Sequence, residues 1–449
     1  MGEFTKPKSL KQYHENFEQI KPLMTADQSA FESAHCLFCH DAPCIQACPT
    51  RINIPLFIRQ IYSGNVMGAA ETIYEANTLG FACGKVCPTE MLCEGACVYN
   101  KLHLAPIQIG RLQSYATRSA IEAKRKFFSP KTSNNGKRVA IIGAGPSGIA
   151  CGCELKRLGY EVEIFEAKAQ PSGLALYGVA PYKINNDELL QEMAYLIAEF
   201  QLNIVYQHPV SSEELAKFDK RYAAIFLGIG LGKTSALGIP GEHLANCVGA
   251  VELIEEIRTQ QHKVKIGKQV IVLGGGNTAM DAASESARLG AEEVTLAYRR
   301  SKQEMPAYGF EFDLAKKVGV KAMFQVAPVE ILGNKTVAGV KFVRMKADKA
   351  SGTGKPKLTP VPKSEFTVEC DMVIKAIGQE QQTDFLQKIA GIKLEHGCIV
   401  TNPETLQTGN PKYFAAGDAV NGGKEVVNAV AEGKRAAKGI HQYLDISCK

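Results

Sequence analysis

The chain has no long apolar run. Its hydrophobic stretches are short and broken by glycine or proline, so no membrane-spanning helix and no membrane partner are expected. It has no block of basic residues interleaved with aromatics either. The net charge of +6 is spread along the whole length, which gives nucleic-acid binding no support. Residues Met1 to Ile20 lack the apolar core of a secretory signal. Met1-Gly2 raises the question of myristoylation, but Lys6 stands where that motif needs Ser or Thr. A cytoplasmic location is the expectation. Without a signal, and in a chain of 449 residues, a secreted disulfide scaffold is a poor account of the cysteines. The length instead suggests about two to four domains, each with its own core.

Cysteine is what the chain has in excess. There are fourteen, and eight fall between Cys36 and Cys97. The first string is Cys36-x2-Cys39-x4-Cys44-x3-Cys48-Pro49. A helical segment follows, Ile54 to Asn77, with Leu56, Phe57, Ile61, Ala69, Ala70, Ile73 and Tyr74 as its apolar positions. The second string is Cys83-x3-Cys87-Pro88-x4-Cys93-x3-Cys97. The Cys-Pro endings are like the ferredoxin run, in which the last cysteine of one string ligates the other cluster. Two interleaved strings of soft thiolates suit two iron–sulfur cubes. Zinc is the alternative, since Cys-x2-Cys is also a zinc spacing, but zinc strings rarely interleave in this way. His35 and His40 beside the first string are read as local hydrogen-bonding groups, not ligands. Residues 98–128 look helical and end in Lys124-Arg125-Lys126. Ser129 to Lys137 is a linker by composition.

Two nucleotide-binding signatures follow. In the first, an apolar strand (Val139 to Ile142) leads into Gly143-Ala144-Gly145-Pro146-Ser147-Gly148 and then a helix. Glu166 closes the next strand. Glycines let the backbone approach a pyrophosphate, the helix N-terminus supplies free N–H groups, and the carboxylate accepts from a ribose hydroxyl. The second signature is Gln269 to Leu273, then Gly274-x-Gly276-x-x-Ala279, with Asn277 and Thr278 in the turn. Where the first has Glu166, this one has Tyr298 followed by Arg299 and Arg300. A carboxylate there repels a 2′-phosphate and a guanidinium pairs with it. So the first site suits FAD and the second NAD(P)H, although two arginines in a loop can also be solvated surface. Gly352 to Ser364 reads as an exposed hairpin or loop, and Asp371 to Gly378 as a buried strand. Tyr413 to Asp418 is a strand ending on Gly417-Asp418. The helix after it carries Val426 and Val427 on its apolar face. Asp418 can accept from a polyol hydroxyl, and the helix N-terminus stabilises negative charge on a reduced flavin. Gly173 and Leu174 complete the candidate cofactor contacts. Cys151-x-Cys153 is too closely spaced for a redox pair and lies within a helix, so packing explains it. No side chain need act as acid, base or nucleophile, and no catalytic residue is assigned.

From the first glycine motif to Gly417-Asp418, the chain resembles the flavin-dependent disulfide-reductase-like superfamily. The cysteine strings, with Ala105-Pro-Ile-Gln-Ile-Gly-Arg-Leu-Gln113, narrow the resemblance to the electron-input half of dihydropyrimidine dehydrogenase. The resemblance implies one [4Fe-4S] cluster on Cys36, Cys39, Cys44 and Cys97. It implies a second on Cys48, Cys87 and Cys93, with Gln113 as an unusual fourth ligand. Counting alone would instead make Cys83 a ligand. The fold class expected is an α-helical two-cluster iron–sulfur domain followed by an α/β flavoprotein module with two dinucleotide-binding domains. The boundaries expected are 1–128 for the clusters, 129–240 for the first part of the FAD domain, 241–370 for the inserted NAD(P) domain and 371–449 for the second part of the FAD domain. By resemblance, electrons pass from NAD(P)H through FAD and the clusters to a separate FMN-containing, pyrimidine-reducing subunit. Alone, the chain is expected to oxidise NAD(P)H but not to reduce uracil. The glutamate synthase small subunit is similar and is the nearest alternative, with related flavin subunits of ferredoxin-linked complexes. An acidic residue is expected at its counterpart of Gln113. A thioredoxin-reductase-like enzyme and a zinc-stabilised nucleotide sensor are more distant alternatives.

Overall fold

The computed structural model describes residues 4–128, 136–347 and 357–446. These fall into two compact units. One comprises residues 19–176, 183–231 and 381–449, the other residues 1–18, 177–182 and 232–380.

In the first unit the cysteine-rich segment is helical. Helices Ala26–Ala34, Ile54–Tyr62, Val66–Ala76, Gly80–Val86 and Ile109–Glu122 surround a core that includes Phe57, Ile58, Ile61, Ala69, Ala70, Ile73, Leu112, Ala116 and Ala120. The single helix expected over Ile54 to Asn77 is two. Gly64 takes a φ of +80°, and Asn65 then caps the next helix by accepting from the Gly68 amide at 3.0 Å. Asn53 caps the preceding helix in the same way, at the Leu56 amide. Helices Gly80–Val86 and Ile109–Glu122 meet backbone to backbone. A Cβ on Gly84 would stand 2.8 Å from the Gly110 carbonyl, and one on Gly110 would stand 2.7 Å from that of Gly84.

The same unit contains a five-stranded parallel sheet in the order Tyr413–Ala415, Ala224–Leu227, Arg138–Ile142, Glu161–Phe165, Asn203–Val205. Helices Pro146–Arg157 and Val426–Ile446 pack against each other beside it. Both faces of the central strands are covered, so these strands read as continuous apolar runs.

The second unit has its own parallel sheet, ordered Cys247–Gly249, Met372–Ala376, Gln269–Gly274, Glu293–Tyr298, Lys321–Phe324. Strand Met372–Ala376 was assigned with the FAD domain from sequence, but it lies inside this nucleotide sheet. Val373 and Ile374 are fully buried there. A buried parallel strand carries no mark of which sheet it joins, and the pattern alone could not place it. An antiparallel sheet of Val326–Gly333, Val337–Ala347, Leu358–Pro360 and Phe366–Glu369 completes the unit. The expected excursion near Gly352 lies partly outside the described residues, but Leu358–Pro360 pairs antiparallel with Met345 to Ala347. Residues before Glu18 belong to this unit too, not to the cysteine-rich segment. Tyr13 and Phe17 bury stacked rings, the Tyr13 hydroxyl donates to the Ile257 carbonyl, and Asn16 donates to that of Arg288.

Candidate functional site

Each glycine of the first dinucleotide turn has a separate task. Gly143 has a φ of +100°, and a Cβ there would stand 2.4 Å from the Gly228 carbonyl. A Cβ on Gly148 would stand 2.0 Å from the Gly143 carbonyl, which forces close contact between helix and strand. Gly145 differs, since its nearest neighbour would be the Gly228 carbonyl at 4.0 Å. Its open side is where a pyrophosphate can approach the backbone, beside the uncapped N-terminus of helix Pro146–Arg157. Ser147 lies in that first turn. The Ser172 amide donates to the Ala144 carbonyl at 2.7 Å, which brings Gly173 and Leu174 to the turn, with Gly173 at a φ of +49°.

Glu166 is buried. One carboxylate oxygen accepts the Ala144 amide at 2.7 Å and the other the Lys168 amide at 2.8 Å. Each oxygen keeps a lone pair for a ribose hydroxyl. Gly417 lies at a φ of +75°, and its amide donates to Glu432 at 2.8 Å. Asp418 accepts the Lys424 amide at 3.3 Å, and burial raises its carboxyl above the usual carboxylate range. Val426 and Val427 open the helix that follows. Glu432 was not visible in the sequence as a site residue. It sits in the middle of a helix, and only the fold brings it to Gly417 and Asn421.

The second turn repeats the pattern in the other unit. A Cβ on Gly274 would stand 2.2 Å from the Ala376 carbonyl, while one on Gly276 would meet nothing within 4 Å. Ala279 is fully buried where the third glycine stands in the first motif. Asn277 accepts the Tyr308 amide at 3.0 Å, and Thr278 is exposed. The two arginines are not equivalent. Arg300 pairs with Glu304 at 2.9 Å, while Arg299 is exposed and has no partner among the described residues. Of the two, Arg299 is the one left open to a ligand.

The cysteines form two neighbouring groups. Cys36, Cys39, Cys44 and Cys97 line one pocket together with Ile54, Ile58 and Ile107. Burial, with the thiols of Cys36 and Cys97 alongside, pushes the Cys44 thiol up to about 12. In the second group the neighbouring Cys83 thiol, burial, Cys93 and Cys48 all raise that of Cys87. Cys44 acts on Cys93 as well, so the groups adjoin. Ligation deprotonates a thiol, so a bound metal would have to offset this stronger hold on the proton. Among the described residues no three Cys, His, Asp or Glu side chains converge as ligands of one ion do. Thiolates around a cube stand farther apart than that. Gln113 is buried and its Nε2 donates to the Gly80 carbonyl at 2.6 Å, with no hydrogen bond to its Oε1 among the described residues. His35 bonds the Phe31 carbonyl and His40 faces Asp41, both in local contacts. Cys151 and Cys153 are buried in their helix.

Known proteins carry the same parts in the same order. A family model described as dihydropyrimidine dehydrogenase domain II, 4Fe-4S cluster, matches residues 13–125. An NAD(P)-binding Rossmann-like model matches residues 141–188, and the pyridine nucleotide-disulphide oxidoreductase model matches residues 186–433. The Escherichia coli K12 NAD-dependent dihydropyrimidine dehydrogenase subunit PreT is 36% identical over 96% of this chain and 98% of its own length. The glutamate synthase [NADPH] small chain of the same organism is 33% identical over 96% of this chain and 94% of its own. The fold of Mycobacterium tuberculosis FprA, solved with NADPH, covers 70% of this chain and 85% of that one at a TM-score of 0.59 and 17% identity. The cofactors are FAD, NAD(P)H and 4Fe-4S iron–sulfur, and the glycine cradles and thiol groups fit them. The chain belongs to the pyridine nucleotide-disulphide oxidoreductase family, among the NAD(P)H-dependent electron-transfer flavoproteins that carry a dihydropyrimidine dehydrogenase-type 4Fe-4S domain in front of the flavin module.

Proposed function

We propose that this chain is the NAD(P)H-oxidising subunit of a two-subunit dihydropyrimidine dehydrogenase. The observation that carries the reading is the joining, within one compact unit, of a flavin cradle and two groups of half-buried to buried thiols. The same assembly spans nearly the full length of a PreT subunit. When bound, the cofactors supply the redox chemistry: the nicotinamide gives up two electrons as hydride, the flavin divides them, and each cluster carries one at a time.

The chain's own residues bind and orient. Gly143, Gly145 and Gly148 with Pro146 and Ser147 shape the FAD pyrophosphate cradle, and Glu166 holds the ribose. Gly173, Leu174, Gly417, Asp418, Val426 and Val427 line the rest of the flavin site. Gly274, Gly276, Asn277, Thr278 and Arg299 face the nicotinamide nucleotide, and Arg300 holds the turn through Glu304. Cys36, Cys39, Cys44 and Cys97 hold one cluster. Cys48, Cys87 and Cys93 hold the other, with the free Oε1 of Gln113 as its fourth donor and Cys83 beside it as a buried thiol.

The acceptor is a separate subunit with an FMN-bearing pyrimidine site. Exposed apolar side chains favour a protein partner. Seven of the ten large exposed hydrophobics among the described residues lie between Phe31 and Leu104, on the cysteine-rich segment. Exposed apolar surface, where it is contiguous, marks interaction sites. The 33% identity to a glutamate synthase small chain favours a second reading, in which the partner processes glutamine.

Mixing decides between them. The chain is combined with a candidate pyrimidine-reducing subunit, and NADH-dependent loss of uracil is measured. Glutamine with 2-oxoglutarate and a large glutamate synthase partner is run in parallel. Uracil reduction only in the first mixture supports the reading, and turnover only in the second overturns it. Iron and acid-labile sulfide analysis tests the cluster assignment, with about eight of each expected per chain.

A further inference from the structure

Two charged side chains that belong to no cofactor motif tie the cysteine-bearing helices to the flavin fold. Glu192 lies on helix Asn186–Phe200 and is fully buried. Its Oε1 accepts the Phe81 amide at 2.6 Å and the Tyr74 hydroxyl at 3.3 Å, and its Oε2 accepts the Ala82 amide at 2.9 Å. Phe81 and Ala82 are in the first turn of helix Gly80–Val86, whose N-cap, Leu79, provides no side-chain acceptor. The missing cap is supplied from the flavin fold. Lys434 does the converse. It lies on helix Val426–Ile446, and its Nζ donates to the carbonyls of Glu75 and Ala76 at the end of helix Val66–Ala76.

The two capped helices are consecutive, separated only by Asn77 to Leu79. One corner is therefore closed by an ammonium at the end of one helix and a carboxyl at the start of the next. The ammonium, and the carboxyl when ionised, match their helix dipoles. The corner also has cofactor machinery on both sides. A Cβ on Gly433, the residue before Lys434, would stand 2.2 Å from the Ser147 carbonyl in the flavin turn. Helix Gly80–Val86 carries Cys83 and ends at Cys87. Burial raises the Glu192 carboxyl to about 7 and lowers the Lys434 ammonium. A buried ionisable group adds little stability against apolar packing, and setting registry is the best-attested use of one.

We propose that Glu192 and Lys434 are positioning residues that set the separation between the flavin fold and the cysteine-bearing helices, and so govern how fast electrons cross between them. This rests on the relay described above. The test uses the holoprotein with Lys434→Met, Lys434→Arg and, in parallel, Glu192→Gln. Rapid mixing with NADH follows flavin bleaching and cluster reduction separately, by absorbance and freeze-quench EPR. Hydrogen exchange reads the Phe81 and Ala82 amides. FAD and iron content are measured on each sample.

In Lys434→Met and Glu192→Gln, flavin bleaching is expected to stay within about twofold of wild type while cluster reduction slows about tenfold or more. Lys434→Arg is expected to restore it, and Glu192→Gln to speed exchange at Phe81 and Ala82. The proposal is overturned if both variants reduce the clusters at the wild-type rate. It is also overturned if Lys434→Arg fares no better than Lys434→Met, with flavin bleaching and iron content falling together. A wild-type protein whose clusters never accept electrons from NADH would instead sink the relay itself.

Discussion

Gly145 and Gly276 occupy the same place in two different sheets, and both leave room where neighbouring glycines leave none. Their φ values of −70° and −90° are open to any residue, so backbone strain does not require glycine there. Room for a ligand to approach the backbone does. Gly145→Val is therefore expected to purify without FAD and to melt near wild-type protein stripped of FAD. Gly148→Ala, with its Cβ 2.0 Å from a carbonyl, is expected to lose roughly 1–3 kcal/mol or more of stability. Flavin absorbance and thermal melting separate the two cases, and a yellow Gly145→Val protein would refute the assignment. The glycine spacing was legible in the sequence, and so was Glu166. The division of labour between the arginines was not, because it depends on Glu304 reaching back across a turn to Arg300 and Ser301. Arg299→Ala is expected to lower the kcat/KM ratio of NADPH to NADH by about tenfold or more, the scale of one charge-assisted hydrogen bond. Arg300→Ala should move that ratio much less. Equal effects from the two would show that Arg299 does not face the phosphate.

At the scale of elements, apolar periodicity marked the strands that lead into both glycine turns and several helices, but it left short strands such as Asn203–Val205 and Lys321–Phe324, and the joins and memberships, open. The break at Gly64 escaped because apolar positions continue in phase from Ile61 to Ala69 across it. Strand Met372–Ala376 was read as a strand and placed in the wrong sheet, because its partners at Cys247 and Val270 are distant in sequence. Glu192 lies between Leu189 and Met193 in the sequence, where a polar residue looks like ordinary helix surface. Its burial has a measurable consequence. The folded carboxyl titrates at about 7 against an ordinary value of 4.5, so the folded state holds a proton that the unfolded state has lost between those values. The favourable contribution is complete below about pH 4.5 and fades as pH rises to about 7, by roughly 3 kcal/mol in all. Glu192→Gln cannot titrate, so its melting temperature is expected to fall less than that of wild type between pH 5 and pH 7. Parallel melting curves over that range would show that Glu192 is not the titrating group.

Over the whole molecule, the cysteine-rich segment combines a well-buried core with an unusually apolar exterior. Phe57, Ile58, Ile73 and Leu112 are fully buried, while Phe31 is 69% exposed and Leu102 61% exposed. Leu37, exposed between Cys36 and Cys39, lines the pocket shared by those thiols. The apolar exterior thus reaches the edge of one thiol group. Composition could not reveal this surface, since an exposed leucine and a core leucine are the same letter, and only burial distinguishes them. Covering each such side chain in an interface is worth about 1.5–3 kcal/mol. A Phe31→Ser, Leu104→Ser double variant touches neither thiol group. It is expected to reduce an artificial dye with NADH at a rate within about twofold of wild type, and to need about tenfold or more partner subunit for half-maximal uracil reduction. Because the contact is apolar, added salt should shift that requirement little, whereas a charge-steered encounter would weaken steeply. An unchanged partner requirement in the double variant would place the docking surface elsewhere on the chain.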